Sequence, residues 1–244
     1  MNGFMTIFKR ELKGYFATPV AYVFLVIFLF FAGYLPFEKE DFFNVGQADM
    51  QAFFKWLPIL FIFMVPGISM RLWAEEKKSG TIELLFTLPI DTMAAVLGKF
   101  AAAWCFMALG LVLTCVFPVT LLDLGKPDMG QIICGYIGSF LLCGGYLAIG
   151  GFCSAITRSQ VISFILAVVG CAVFYSIALP TSQGFLSSIL GNNFAEIFAS
   201  LSFERHFDSI KRGVIRMSDL SYFFIMIASW LCCTSIIIKE RKAA

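Results

Sequence analysis

The chain has 244 residues, of which 59% are apolar and 14% charged, and its mean hydropathy is +0.86. A soluble domain carries about 25% charged residues, so this composition excludes an ordinary soluble protein and predicts an all-α polytopic membrane protein. The formal net charge is +2. The sequence contains no basic tract interleaved with aromatic residues, which is the pattern typical of nucleic-acid binding.

Residues 1–18 predict an amphipathic helix that lies in the membrane interface. Phe4, Phe8 and Leu12 recur at helical spacing, and basic residues such as Lys9 and Lys13 lie between them. A positive flank that only orients the first span is the alternative. No small-residue cleavage site follows the first apolar run, so we do not expect a cleaved signal peptide.

Six apolar runs predict transmembrane helices, because each is long enough to cross a bilayer. They lie at about 20–37, 52–70, 93–122, 130–156, 161–179 and 220–238. Pro58 and Pro66 predict kinks in the second span. Lys99, near the start of the third, is expected to snorkel to the interface. Small residues in the fourth span predict close helix packing.

A charged segment at 71–92 separates spans 2 and 3. Each Asp, Lys or Arg at a bilayer centre costs roughly 2.5–3.5 kcal/mol, so this segment must leave the membrane. Ala74–Lys78 is predicted to be helical, and Ser79–Gly80–Thr81 to break the helix. Thr81 would then cap a second short helix that Pro89 ends. Its candidate contact residues are Arg71, Glu75, Glu76, Lys77, Lys78, Gly80, Thr81 and Glu83.

Residues 180–218 are too long and too patterned for a bare connector. Apolar residues recur at helical spacing from Leu186 to Leu201, and a charged stretch follows. We predict one or two amphipathic helices lying in, or dipping into, the outer leaflet.

The distribution of Lys and Arg predicts the orientation. With the N-terminus inside, the short outer loops hold only Lys39, Lys55 and Lys126, and the long outer segment weighs less in this rule. The inner segments hold Lys9, Arg10, Lys13, Arg71, Lys77, Lys78, Lys99, Arg158, Lys239, Arg241 and Lys242. Both termini and the 71–92 segment are therefore expected on the cytoplasmic side.

The sequence offers no energy-converting chemistry of its own. It lacks the GxxxxGK[ST] phosphate loop and the HExxH and GxSxG motifs. The spans contain almost no ionisable residues, which ion-coupled carriers usually need at mid-membrane. The eight Cys form no CxxC pair and His206 is the single histidine, so we expect no metal and no cofactor. The 71–92 segment is therefore predicted to contact a partner that supplies energy.

Three stretches resemble the ABC-2 type permeases, and in particular the branch associated with gliding motility and with maturation of copper enzymes. They are KRELKGYFATPVAYVF at 9–24, AEEKKSGTIELLFTLPI at 74–90, and RHFDSIKRGVI at 205–215 followed by DL at 219–220. The second is similar to the family's EE-x-x-x-GT-x-E-L-L pattern and is the most specific of the three.

The resemblance implies that the 71–92 segment is a coupling helix that docks into an ATPase subunit. It also implies two permease copies, identical or not, above two ABC ATPase copies in the inner membrane. For the outer segment it implies helices near an exit gate, where Arg205, His206, Arg212 and Gly213 match the branch pattern. An anchor without a gating role is equally open for this segment.

Two further functions compete with an ATP-driven export permease. A membrane anchor or assembly scaffold would recruit an ATPase through the same segment without moving a substrate. A membrane-embedded enzyme is disfavoured, because no paired acids, nucleophile–base set or metal cluster occurs in the sequence.

Overall fold

The structure, a computed structural model, describes residues 3–39, 50–81, 91–125 and 127–243. Every regular element in these ranges is an α-helix. The helices are α1 (Gly3–Ala17), α2 (Pro19–Lys39), α3 (Gln51–Ser69), α4 (Arg71–Ser79), α5 (Thr92–Leu113), α6 (Val116–Leu124), α7 (Met129–Ile156), α8 (Gln160–Ser176), α9 (Pro180–Leu190), α10 (Asn192–Ser200), α11 (Phe203–Lys211) and α12 (Met217–Ala243).

Five helical stretches of the described residues are long and apolar enough to cross a membrane, against the six spans predicted. They are Pro19–Pro36, Gln51–Ser79, Thr92–Asp123, Met129–Ile156 and Met217–Glu240. The span predicted at 161–179 corresponds to α8, an apolar helix of 17 residues. At 1.5 Å per residue α8 is about 26 Å long, slightly short of a hydrocarbon core of about 30 Å.

Helix α7 is the centre of the bundle. Every residue from Leu141 to Gly151 is buried, and α3, α5, α8, α11 and α12 all pack against this helix. Glycines allow neighbouring helices to lie close to α7. A Cβ at Gly150 would lie 2.0 Å from Oγ of Ser69 in α3. A Cβ at Gly145 would lie 2.7 Å from the Phe203 ring in α11. The prediction that small residues in this span allow close packing is confirmed.

Helix α4 contacts the C-terminal end of α7, whereas α11 contacts α7 from its middle, at Gly145, toward its start. The start of α4 bonds to Ser154, whereas Lys211 at the end of α11 and Gly213 after it lie against Gln131. These two α7 residues are 23 positions apart, about 35 Å along the helix axis. Any signal between the two predicted functional regions must therefore travel along the bundle.

The third predicted span, 93–122, is broken in the structure. Helix α5 ends at Leu113, and α6 begins at Val116 after a turn at Thr114 and Cys115. Pro118 follows within α6 and has no backbone N–H to continue the α-helical ladder. The hydroxyl of Thr114 donates to the Leu111 carbonyl at 2.7 Å, which satisfies an acceptor at the break.

The segment 180–218 contains three short helices, α9, α10 and α11, rather than the one or two predicted. Helix α11 packs into the bundle, since Phe203, Phe207 and Ile210 are fully buried. Its first turn is capped by Ser202, whose hydroxyl accepts from the backbone N–H of Glu204 at 3.2 Å. The same hydroxyl donates to the Tyr175 carbonyl of α8 at 3.3 Å.

Candidate coupling site

Helix α4 contains the residues that the sequence singled out between spans 2 and 3. It begins directly after α3, with Met70 between them, and ends at Gly80. Gly80 has a left-handed backbone with φ of 74°, which glycine adopts without a steric cost. Lys77 and Lys78 lie in its last turn, where positive charge complements the helix dipole. The predicted helix over Ala74–Lys78 is therefore present and begins earlier, at Arg71.

One serine of α7 holds the start of α4. The hydroxyl of Ser154 accepts from the backbone N–H groups of Trp73 and Ala74, each at 3.0 Å. It also donates to the Met70 carbonyl at 3.0 Å, so all its hydrogen-bonding capacity is used. Ser154 thus acts as an N-cap supplied by a neighbouring helix, because no side chain of α4 itself caps this end.

The other end of α4 is also bonded to α7. Lys77 Nζ donates to the carbonyl of Ala155, one of the last residues of α7. The last carbonyls of a helix lack intrahelical partners and carry negative partial charge. A lysine there satisfies a carbonyl and complements the dipole, so α4 lies fixed along the end of the central helix.

A cluster of four charged side chains joins α4 to α1 and α5. Oε1 of Glu76 lies 2.9 Å from Nζ of Lys99 and 3.0 Å from an Arg10 guanidinium nitrogen. Glu11 lies 3.2 Å from Lys99 and 2.6 Å from Arg10. Two cations and two anions therefore alternate, and we call this set the charge clamp.

The lysine at the centre of the charge clamp is shielded from solvent, whereas Arg10 at its edge is about half exposed. The Lys99 side chain is only 2% exposed, and its ammonium lies 5.1 Å from the centre of the Trp73 ring. The lysine that the sequence placed at the interface is instead enclosed between carboxylates of α1 and α4. Burial opposes ionisation of Glu11, but Lys99 and Arg10 outweigh it and hold the pKa of Glu11 below its ordinary value.

The predicted contact residues divide into two groups. Glu76 and Lys77 point their charged groups at the chain itself, and Arg71 lines a cavity beside α1 and α2. Glu75, Lys78, Gly80 and Thr81 are exposed. Glu83, the second short helix that Thr81 would cap, and Pro89 lie outside the described residues.

The predicted outer residues divide in a similar way. Arg205 and Arg212 are exposed, and Arg212 lies 2.6 Å from Asp208. Gly213 has φ of 87°, and its carbonyl accepts a long contact of 3.7 Å from the Cys134 thiol. His206 is packed against α12 and is the residue here with the most defined environment.

His206 links α11 to α12. Its Nδ1 lies 2.7 Å from Oδ1 of Asp219, and its Nε2 lies 3.0 Å from the Ser200 carbonyl. Its ring stacks on Tyr222 with centres 4.0 Å apart. The Tyr222 hydroxyl donates to the Leu201 carbonyl at 2.5 Å. The start of α12 thus holds the α10–α11 junction, and Asp219 is nearly buried.

Comparison with known families agrees with this arrangement. Residues 8–178 match the family described as ABC-2 family transporter protein, which is more than half of the chain. The chain belongs to the ABC-2 transporter family. No curated protein matches it. Its apolar helices and this membership identify a multi-pass transmembrane component of permease type.

The family match covers the whole charge clamp of this ABC-2 permease. Arg10 and Glu11 lie just inside its beginning, and α4, Lys99 and Ser154 follow within it. Helices α9 to α12, with His206 and Asp219, lie beyond its end. A permease of this family generally works with an ABC ATPase and is itself a non-enzymatic component.

Sequence reasoning missed several residues that define this site in the ABC-2 permease. That Lys99 forms an ion pair could have been predicted, because a lone charge inside an apolar run normally has a partner. Arg10 entered the sequence analysis only as one of the inner basic residues, and Glu11 only within the stretch 9–24. Ser154 carried no local signal, because a serine near a helix end commonly caps its own helix, and Asp219 appeared only within the third stretch, at 219–220.

Proposed function

We propose that this chain is the permease subunit of an ATP-driven exporter, and that a separate ABC ATPase moves it through α4. The observation that carries the proposal is the position of α4, which exposes one polar face while its other face bonds to α7, α1 and α5. The chain itself has no phosphate-binding loop, so the energy must come from a partner.

The bonds of α4 make it suited to transmit motion. A displacement of α4 would stretch the hydrogen bonds to Ser154 and the ion pair to Lys99 unless α7 and α5 moved with it. Packed interiors resist continuous deformation, so such elements shift as units. A push on α4 would therefore reach the central helix and the start of the third span together.

The exposed face of α4 offers mixed charge to a partner. Glu75 and Lys78 are exposed one turn apart, and the Gly80–Thr81 turn follows them. Charged side chains on a rigid helix can form charge-assisted hydrogen bonds with a groove. We propose these four positions, together with Glu83, as the ATPase contact, and assign Glu76 and Lys77 to holding the helix.

The topology that fits this function has six spans with both termini and α4 on the cytoplasmic side of the inner membrane. Helix α8 would be the fifth span despite its length, and α9 to α11 would lie on the outer side. The distribution of Lys and Arg supports this orientation. Two permease copies would face each other above two ATPase copies, since six spans leave little room for a sealed path.

We propose that α9 to α11 form the exit region. A polar cavity of about 990 Å³ lies among them, lined in part by Glu196, Glu204, Arg205 and Asp208. Burial raises the pKa of Glu204, while Lys211 partly offsets it. The His206–Asp219 contact would have to open if α11 moved away from α12 during release.

Site-directed photo-crosslinking tests this function. A photo-crosslinking amino acid at Thr81, in the permease co-expressed with its ATPase, is expected to capture the ATPase. The same probe at Asp123, exposed at the opposite end of the bundle, serves as the matched control and should capture none. Equal capture at both positions, or none at Thr81, would contradict the proposal.

Transport distinguishes the exporter from a scaffold. Vesicles containing permease and ATPase should move a substrate only when ATP is supplied on the α4 side. ATP hydrolysis that depends on the permease but moves no component across the vesicle membrane would favour the scaffold instead.

A further inference from the structure

A cavity of about 140 Å³ lies between α1, the start of α2 and the α3–α4 junction. One water needs only roughly 10–15 Å³ of such space, so the cavity is large enough for a chemical group of several atoms. One side is lined by Val20 and Phe24 of α2, and the other by Tyr15, Arg71 and Glu75. The cavity therefore has an apolar and a polar half.

Arg71 gives the polar half its character. Among the described residues that line the cavity, Arg71 is the only cation. Within the part of the chain that the structure describes, its buried Nε has no hydrogen-bond partner, and the nearest carboxylate oxygen, Oε2 of Glu75, lies 3.8 Å away. A buried donor without a partner costs free energy, so the Arg71 guanidinium is not fully satisfied within the fold, and an acceptor that reached it from the cavity would be stabilising.

The two lining carboxylates are not equivalent. Glu11 is already paired with Arg10 and Lys99, so its charge is neutralised within the charge clamp. Glu75 is more than half exposed, and its carboxylate contact among the described residues is the long one to Arg71. The cavity thus presents one unsatisfied cation and one accessible anion side by side.

The position of the cavity indicates a lipid. It lies at the Thr18–Pro19 junction, where the first apolar span begins, and the adjoining face of α2 exposes Val23 and Val26. Spans begin at the depth where the hydrocarbon core meets the head groups. Lipid phosphates therefore lie at the level of Arg71 when acyl chains lie against α2.

We propose that this cavity binds the head group of an ethanolamine phospholipid. The phosphate would accept hydrogen bonds from the Arg71 guanidinium, and the primary ammonium would donate to the Glu75 carboxylate. An anionic head group without an amine would be repelled by Glu75. A choline head group has no N–H to donate, so it would lose that bond. This inference goes beyond the transport function; the two proposals share Glu75, but lipid retention by the purified permease is measured without the ATPase, so each can fail alone.

Two glycines allow a matched test. A Cβ at Gly14, which lines the cavity, would meet nothing within 4 Å, and neither would one at Gly33 of α2. Gly14→Leu should therefore place a bulky side chain at the cavity wall with a Cβ that meets no existing atom, and Gly33→Leu makes the same change in α2 away from the cavity. Arg71→Gln removes the cation and keeps the length of a polar side chain.

Native mass spectrometry of the purified chain, exchanged into mixed micelles of dioleoyl ethanolamine, choline and glycerol phospholipids, measures which lipid is retained. We expect one ethanolamine lipid per chain, preferred about tenfold over the choline lipid. The Gly14→Leu and Arg71→Gln variants should lose the bound ethanolamine lipid, and Gly33→Leu should retain it. Glycerophosphoethanolamine and inorganic phosphate, which have no acyl chains, should not compete at equal concentration.

Glu75→Gln provides a second, independent readout. Without the carboxylate, the preference should shift from the ethanolamine lipid toward the anionic glycerol lipid. Equal retention of all three lipids by the wild type, retention by Gly14→Leu, or an unchanged preference in Glu75→Gln would each overturn the proposal. Competition by free phosphate would instead assign the site to a soluble anion.

Discussion

Nζ of Lys99 lies 2.9 Å from Oε1 of Glu76, and the lysine side chain that makes this contact is 2% exposed. The two residues belong to α5 and α4, and Glu76 also contacts Arg10 of α1. Helices α1, α4 and α5 are thus joined by ion pairs around the buried Lys99 ammonium. Breaking such a pair by removing one partner is costly, because it leaves an uncompensated charge.

Replacing Lys99 by methionine should destabilise the folded protein by about 3 kcal/mol, because Glu11 and Glu76 would share Arg10 alone. Thermal unfolding in detergent measures the loss. The double variant Lys99→Met/Glu76→Gln should recover part of it, since the Arg10–Glu11 pair is then balanced. Lys78→Met is the matched control on the exposed face and should change stability little. If the loss of stability in the double variant equalled the sum of the losses in the two single variants, the charge clamp would be contradicted.

Replacing Ser154 by alanine should cost about 1–2 kcal/mol, because three backbone groups of the α3–α4 junction lose their partner. Ser139→Ala is the matched control in the same helix. Ser139 is equally buried but donates only to the Gly135 carbonyl within α7, so its loss should be smaller. Equal losses in the two variants would mean that Ser154 does not hold α4.

Much of this architecture could be predicted from local pattern. The predicted span at 130–156 agrees with α7 to within one residue. Both ends have local causes, since Asp128 caps the start with hydrogen bonds of 2.9 and 3.4 Å and the apolar run ends at Ile156. The break at Thr114 could not be predicted, because the apolar pattern continues across it. Only Pro118 hinted at a break, and proline also occurs inside unbroken spans such as α3.

The charge clamp could not be predicted because its members are far apart in the chain. Lys99 and Glu11 are separated by 88 positions, and Arg10 and Glu76 by 66. Helical periodicity shows which residues share a face but not which helices meet. The sequence therefore placed Glu76 and Lys77 with the exposed contact residues, whereas tertiary packing turns them inward.

The stability of this region should depend on pH through Glu11. Lys99 and Arg10 hold the pKa of Glu11 below its ordinary value. Ionised Glu11 therefore contributes its full stabilisation of the fold above the ordinary glutamate pKa, near pH 4. The contribution is lost as pH falls through the lower, folded-state pKa. Glu11→Gln should therefore be less stable than wild type at pH 7, and the difference should narrow in acid. A difference that stays constant from pH 7 to pH 3 would contradict this pairing.

Replacing His206 by phenylalanine should keep the ring on Tyr222 but leave Asp219 without a partner. Leaving a buried carboxylate unpaired should cost about 2 kcal/mol, and Asp219→Asn in the same background should restore part of the stability. Arg205→Gln, at an exposed neighbouring position, serves as the control. If His206→Phe/Asp219→Asn regains stability but not transport, the contact gates release; if it regains both, α11 acts only as an anchor.

The proposed route of energy is tested most directly by ATP hydrolysis in lipid nanodiscs that contain the permease and its partner ATPase. The purified permease alone should hydrolyse no ATP, and the complex should hydrolyse it faster than the free ATPase. Glu75→Lys/Lys78→Glu, which inverts the exposed charges of α4 at constant net charge, should return hydrolysis to the rate of the free ATPase. The control variant Asp123→Lys, at the opposite end of the bundle, should keep the stimulated rate of the wild-type complex. Wild-type stimulation by the inverted variant, or hydrolysis by the permease alone, would show that energy does not enter through α4.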